Sequence, residues 1–159
     1  MTYILKEAIK IEKQINAKLS RKKDPFGIAK ASLWVMGDNN KVKSVKENGD
    51  VYDLLDDFDT LETVKDCASF TILTAGWAAP INETDENTPP SQHPERRRVR
   101  LVVHVTEFGV ASVMRFKDDA SEIVTDDGKA RGSLAEAVMD LMDKKINYYI
   151  IYVFFFAIN

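Results

Sequence analysis

The chain has 159 residues, of which 45% are apolar and 30% are charged, and it carries a net charge of −3. This length and composition predict one globular domain with its own core, and they exclude a fibre or a disordered tail. The weakly acidic charge excludes an overall basic, non-specific nucleic-acid binder. The single cysteine excludes an internal disulfide, and the charged N-terminus lacks a signal-peptide core, so we expect a cytoplasmic protein.

The N-terminal part of the sequence predicts a helix followed by a β-hairpin. Apolar residues recur at helical spacing from Ile4 to Leu19, with polar side chains between them. Residues 31–36 and 41–46 are short strand-like runs on either side of Gly-Asp-Asn-Asn, a sequence that tolerates positive φ. Val42 and Val45 break strict alternation in the second run, which predicts a bulge or an early end of that strand.

The remaining predicted elements are a helix, three strands and a final helix. Asp50 can cap the first of these helices, residues 68–75 predict a buried strand, and residues 99–105 and 110–116 predict a second hairpin. A capping box at residues 133–136 begins the last helix. The apolar stripe of the middle helix comprises Val51, Leu54, Leu55, Phe58 and Leu61, and that of the last helix comprises Leu134, Val138, Leu141 and Met142.

These elements predict an α+β domain in the order α-β-β-α-β-β-β-α, with one mixed or antiparallel sheet of about five strands and helices packed on it. The order resembles that of the profilin-like and roadblock or longin group, in which a five-stranded antiparallel sheet carries helices on its faces. Members of that group mostly act as binding or scaffolding modules. The resemblance therefore implies a binding function rather than catalysis.

The C-terminal segment is strongly apolar. Residues 146–158 contain six aromatic side chains and no charge, but a helix that crosses a bilayer needs about 20 residues. We therefore predict a globular domain over residues 1–145 and an apolar tail over residues 146–159. Three interpretations of the tail stay open: a buried strand that completes the sheet, an apolar surface for a partner or a membrane interface, and an extension outside the evolved fold.

The most unusual segment connects Gly76 to Arg100 and contains four of the five prolines. A connection of this length inside a compact domain is typical of a functional or a disordered loop. We predict three parts. At residues 76–80 we expect Trp77 to pack under the loop, the alternative being an exposed stacking surface beside Arg98 and Arg100 that would form a binding hot spot. Residues 81–90 form an exposed acidic span, and residues 93–100 lead into a strand with a basic outer face.

Alternation along that strand places Arg96, Arg98, Arg100 and His104 on one face. Arg97 falls on the other face, whose remaining residues are apolar and which we expect to face the core. A row of guanidinium groups suits carboxylates or phosphates, which arginine binds bidentately. Three alternatives stay open for its counter-charge: the chain's own acidic segments, a protein partner, and an anionic small molecule or nucleic acid.

The sequence contains no spacing typical of a metal site, a nucleotide-binding loop or an activated nucleophile. We therefore expect a non-catalytic binding or assembly module without a cofactor, whose partner is a protein and which contacts membranes at most through its tail. The open alternatives are a hydrolase or transferase of an anionic substrate, with His93 as its acid or base, and a structural subunit that uses the apolar tail as its interface. The expected binding residues are Trp77, His93, Arg96, Arg98 and Arg100.

Overall fold

The computed structural model describes the backbone of residues 1–80, 88–129 and 133–157, and the side chains of these residues except 133 and 148–157. The six strands of this part form one antiparallel sheet in the order β2-β1-β3-β4-β5-β6. The protein is therefore an α+β domain built on one sheet, with one strand more than the sequence predicts. The elements are α1 (Tyr3–Leu19), β1 (Ala31–Met36), β2 (Val42–Asn48), α2 (Val51–Asp56), α3 (Phe58–Val64), β3 (Ser69–Ala78), a 3-10 turn (Pro90–Gln92), β4 (Arg97–Thr106), β5 (Gly109–Phe116), β6 (Ile123–Asp126) and α4 (Ser133–Ala157).

Helices cover both faces of the sheet. On one face α1 packs its apolar stripe, which includes Ile11 and Ile15, against Leu73 and other strand residues. On the opposite face α2, α3 and α4 pack through residues such as Leu54 and Leu141. We call these two surfaces of the sheet the α1 face and the α4 face. The core is therefore two layers of side chains separated by the sheet.

β1 and β2 form the predicted hairpin, and its irregularity lies at Val45. Leu33 pairs with Lys46, but the next residue of β1, Trp34, pairs with Ser44. Val45 is therefore the extra residue of a β-bulge, which explains why the apolar residues of β2 do not alternate strictly. The predicted bulge is confirmed.

The segment predicted as one middle helix forms two helices. Asp50 caps α2, and Asp57, whose backbone is extended, accepts a hydrogen bond from the Asp59 N–H and caps α3. Because the second cap restarts the helix, the apolar stripe is interrupted and Phe58 lies 66% exposed on the surface. The prediction that Phe58 belongs to the apolar stripe is wrong.

Two further differences affect the sheet. β3 continues as far as Ala78, so that Trp77 belongs to a strand and not to the start of the loop. The sequence analysis also missed β6, which pairs with β5 from Ile123 to Asp126. A strand of four residues of which none is buried, and whose exposure does not alternate, carries too weak a pattern to be recognised.

The last helix begins as predicted and continues farther. Val138, Leu141 and Met142 are buried on the α4 face, whereas the side chain of Ser133, on which the predicted capping box depends, lies outside the described residues. α4 extends to Ala157, so residues 146–157 lengthen this helix, and the prediction of an additional strand is wrong. The segment contains no proline or glycine that would end the helix.

None of the helices in the described part of the chain is both long enough and apolar enough to cross a membrane. The side chains beyond residue 147 lie outside the described set. The use of the tail as a subunit interface therefore stays a prediction.

Candidate functional site

The candidate site stands where β3 and β4 extend beyond their neighbours. Trp77 pairs with Arg98 across the two strands, and Ala75 pairs with Arg100 two residues farther into the sheet. Alternation places these side chains on the α1 face, to which Arg100 also belongs by its contact with α1. Within the described residues, the ladder between β1 and β3 ends at Leu73. The Trp77 and Arg98 pair therefore lies on a two-stranded extension at the border of the sheet.

Trp77, Arg96 and Arg98 form a compact group that we call the Trp77 cluster. The guanidinium carbons lie 5.1 Å (Arg96) and 5.3 Å (Arg98) from the centroid of the Trp77 ring, within the range of cation–π interactions. Nη1 of Arg96 also donates to the carbonyl oxygen of His93 at 3.2 Å. Trp77 is nevertheless 40% exposed. The expectation that Trp77 packs under the loop is wrong, because the arginines cover part of the ring and leave the rest open to solvent.

The positive charge of the Trp77 cluster has no salt-bridge partner within the described residues. Among the described residues, no carboxylate lies within salt-bridge distance of Arg96 or Arg98. In the same part of the chain the indole N–H of Trp77 has no hydrogen-bond acceptor. The predicted acidic span of the loop falls mostly on residues 81–87, outside the described residues. The cluster therefore offers two guanidinium groups, one indole donor and an aromatic surface to a ligand.

Arg97, the next residue along the strand, has a different environment. Its guanidinium donates to both carboxylate oxygens of Asp118 at 2.6 and 2.8 Å and to those of Glu122 at 2.8 and 3.3 Å. These hydrogen bonds raise the pKa of Arg97 and lower the pKa of Asp118. The chain's own acidic residues therefore neutralise this arginine.

Arg100 lies on the predicted face but is buried. Its side chain is 2% exposed, donates to the carbonyl oxygen of Pro25 at 3.0 Å and to Oδ1 of Asn16, and stacks on the Phe26 ring. Burial lowers the pKa of its guanidinium. The prediction of an outer, basic face is therefore wrong for Arg100 and for the residues of β4 that follow it. At these positions α1 and the segment after it cover the sheet.

A second buried arginine lies next to it. Arg115 is the cross-strand partner of Arg100 and binds Glu12 of α1 bidentately, with N···O distances of 2.6 and 2.7 Å. Both Arg115 and Glu12 are buried. The sequence analysis missed this pair. The sequence feature that could have revealed this ion pair is the position of Glu12 on the apolar stripe of α1, four residues after Ala8 and three before Ile15.

The two histidines do not contribute to an open site. His93 is 3% exposed, and its Nδ1 accepts a hydrogen bond from the N–H of Glu95 at 3.0 Å. His104 lies on the α1 face as predicted, where its Nδ1 and Oγ1 of Thr71 are joined by a 3.0 Å hydrogen bond. Burial lowers the pKa of His104. The histidine predicted as acid or base is therefore buried.

Neither of two clefts in the described part of the chain has the lining that the hydrolase or transferase alternative requires. That alternative needs Trp77, His93 and an arginine around one concave space. The two clefts have volumes of about 550 and 350 Å³, and both are lined by other residues. Burial raises the pKa of the Cys67 thiol, which disfavours its nucleophilic form. In the same part of the chain no group of histidine, cysteine, aspartate or glutamate side chains is placed to hold a metal ion.

The positive charge around Trp77 should be visible in fluorescence quenching. The protein has two tryptophans, and Trp34 is buried with its Nε1–H bonded to Ser32, so quenchers in solution report on Trp77. We expect iodide to quench several-fold more strongly than caesium at low ionic strength, since the arginines attract anions, and we expect added salt to reduce the difference. Stern–Volmer titrations measure both constants. Equal quenching by the two ions, or an unchanged ratio in Arg96→Gln/Arg98→Gln, would contradict this electrostatic description.

No protein-family model, curated protein or solved structure matches this chain. What the site does has to be argued from its own residues.

Proposed function

We propose that this protein is a non-catalytic binding module that recognises an acidic segment of a protein partner with the Trp77 cluster. The observation that carries the proposal is the 40% exposed Trp77 ring in contact with two guanidinium groups that have no carboxylate partner among the described residues. Tryptophan and arginine are the residue types most often found at the energetic centre of protein interfaces.

The chemistry of the cluster favours carboxylates beside an aromatic or apolar group. Each guanidinium can bind a carboxylate bidentately, and the indole N–H adds a further donor. The arginines are already oriented by stacking on Trp77, and Arg96 is also held by the His93 carbonyl. Less side-chain entropy is therefore lost when a ligand binds than for free arginines.

The position of the cluster favours a protein segment over the other anionic ligands. Trp77 and the two arginines lie outside both clefts described above, whereas small molecules are usually bound in concave pockets. The chain's net charge of −3 opposes long polyanions such as nucleic acids. A short acidic segment of a protein fits a small, locally basic and exposed surface.

The test is a titration with a labelled peptide of alternating glutamate and tyrosine, followed by fluorescence anisotropy. We expect Trp77→Ala/Arg96→Ala/Arg98→Ala to weaken binding at least about tenfold, because hot-spot truncations cost about 2 kcal/mol or more each. Binding to the wild-type chain should weaken as salt is added.

The matched control for lost positive charge is Arg21→Ala/Lys23→Ala, since both residues are exposed and lie outside the cluster. It should bind the peptide like the wild-type chain. A second control is the same peptide with lysine in place of glutamate, which should not bind. Equal affinity of the triple variant, or equal binding of the lysine peptide, would show that the Trp77 cluster is not the binding surface.

A further inference from the structure

The surface formed by α2 and the start of α3 has the opposite charge to the Trp77 cluster. Tyr52, Asp53 and Asp56 lie on the outer side of α2, where residues three and four apart are neighbours. Phe58 and Asp59 follow directly at the start of α3 and are exposed as well. We call these five residues the α2–α3 surface.

Two of its carboxylates lack a cationic partner among the described residues. Lys46 lies 3.1 Å from Asp57 and 3.8 Å from Asp59, so it partly neutralises the α3 end of the surface. In the described part of the chain no lysine or arginine lies within salt-bridge distance of Asp53 or Asp56. The α2 end of the surface therefore has unneutralised negative charge.

This surface also presents exposed aromatic side chains. Phe58 is 66% and Tyr52 40% exposed, although both are large side chains whose burial would be favourable. Aromatic rings can stack on guanidinium groups and on an indole ring. The α2–α3 surface thus combines the two features that the Trp77 cluster is suited to bind, which are carboxylates and aromatic rings.

The two surfaces of one chain cannot meet. α2 and α3 pack on the α4 face through Leu54 and Val64, whereas Trp77 and Arg98 lie on the α1 face. The sheet and its side chains separate the two surfaces. Any contact between them therefore has to join two molecules.

We propose that the partner of the Trp77 cluster is a second copy of this chain, which presents its α2–α3 surface. This inference rests on the proposed function, and it names the acidic segment that the Trp77 cluster recognises. Arg96 and Arg98 of one copy bind Asp53 and Asp56 of the next, and Trp77 packs against the exposed aromatic rings.

The contact joins two different surfaces, so it is heterologous. A bound pair still offers one free Trp77 cluster and one free α2–α3 surface, and assembly continues head to tail unless a ring closes. The Trp77 cluster has three residues and the α2–α3 surface five, whereas a standard stable interface has about 20–30 residues a side. We therefore expect association in the micromolar range that weakens as salt is added.

Sedimentation velocity of the full chain over a concentration series tests the proposal. The wild-type chain should sediment faster as its concentration rises. Arg96→Glu/Arg98→Glu and Asp53→Lys/Asp56→Lys should each weaken self-association at least about tenfold, since each reversal places like charges opposite each other. The controls Arg21→Glu/Lys23→Glu and Asp38→Lys/Glu107→Lys reverse exposed charges elsewhere and should assemble like the wild-type chain.

Mixing the two reversed variants distinguishes a heterologous contact from a symmetric one. The Arg96→Glu/Arg98→Glu chain keeps its α2–α3 surface, and the Asp53→Lys/Asp56→Lys chain keeps its Trp77 cluster. Together they should assemble in alternation and grow beyond dimers, because an intact Trp77 cluster meets an intact α2–α3 surface and the two reversed surfaces are also complementary in charge. A single chain with all four reversals should recover self-association, because the charges are again complementary.

Three results would overturn the proposal: a wild-type chain that stays monomeric, assembly that survives either reversal, and a mixture whose assemblies are no larger than those of either variant alone. Assembly that survives both charge reversals would show that the copies bind each other through another surface, such as the apolar tail. If the wild-type chain stays monomeric but still binds the glutamate–tyrosine peptide through the Trp77 cluster, self-recognition is wrong and the proposed function stands. Loss of peptide binding as well would contradict the proposed function itself.

Discussion

Replacing Glu12 by leucine is expected to lower the free energy of unfolding by about 3–5 kcal/mol. Glu12 is the carboxylate that binds the buried Arg115 bidentately, and Arg100 is the cross-strand neighbour of Arg115. Without Glu12, two guanidinium groups lie side by side under α1, each buried and with no anion in contact among the described residues. Urea unfolding followed by circular dichroism measures the loss.

A second substitution separates the cost of the unpaired charge from the loss of packing. In Glu12→Leu/Arg115→Met both charges are removed, so most of the lost stability should return, since apolar replacements of buried ion pairs are often neutral. Glu12→Gln keeps the side-chain shape but not the charge and should fall between the wild-type chain and Glu12→Leu. A cost below about 1 kcal/mol for Glu12→Leu would show that Arg115 is solvated there, contrary to its burial.

Replacing Leu141 by alanine is expected to cost about 2–5 kcal/mol of stability, because it opens a cavity between α4 and the sheet. Leu141 is buried among residues of α2, β3 and β4 on the α4 face. Alanine has the highest helix propensity, so the loss reports on packing and not on the helix itself. The urea midpoint should fall without a large change in the slope of the transition.

The matched control is Met139→Ala on the same helix. Met139 lies two residues away and is 41% exposed, so its truncation should change the free energy of unfolding by less than about 1 kcal/mol. Similar costs for the two substitutions would contradict the orientation of α4, since only one side of the helix faces the core.

Sequence patterns predicted best the elements whose structure depends on neighbouring residues alone, such as turn residues, strand alternation or helical spacing. The β1–β2 hairpin follows from its turn residues, and the bulge at Val45 follows from the break in alternation. The stripe of Val138, Leu141 and Met142 follows from helical spacing. Phe58 was misplaced because Asp57 is both a polar residue within a helical pattern and a possible cap, and periodicity does not distinguish these roles.

The site was harder to predict because alternation assigns side chains to two faces but does not say which face is covered. It placed Arg98 and Arg100 together correctly, yet α1 buries Arg100 and leaves Arg98 at the border. The position of Glu12 among apolar residues of α1 indicates a buried cationic partner. The identity of that partner, Arg115, depends on tertiary packing that the sequence pattern does not contain.

The bulge at Val45 limits how copies of this chain can meet. β2 and β6 are the two edges of the sheet. The bulge distorts the row of backbone groups on β2, where Lys43 and Lys46 add positive charge, and β6 is four residues long and ends at Asp126. Bulges, edge lysines and short edge strands all hinder the addition of a strand from another molecule. Both edges of the sheet are thereby protected against backbone pairing of the amyloid kind.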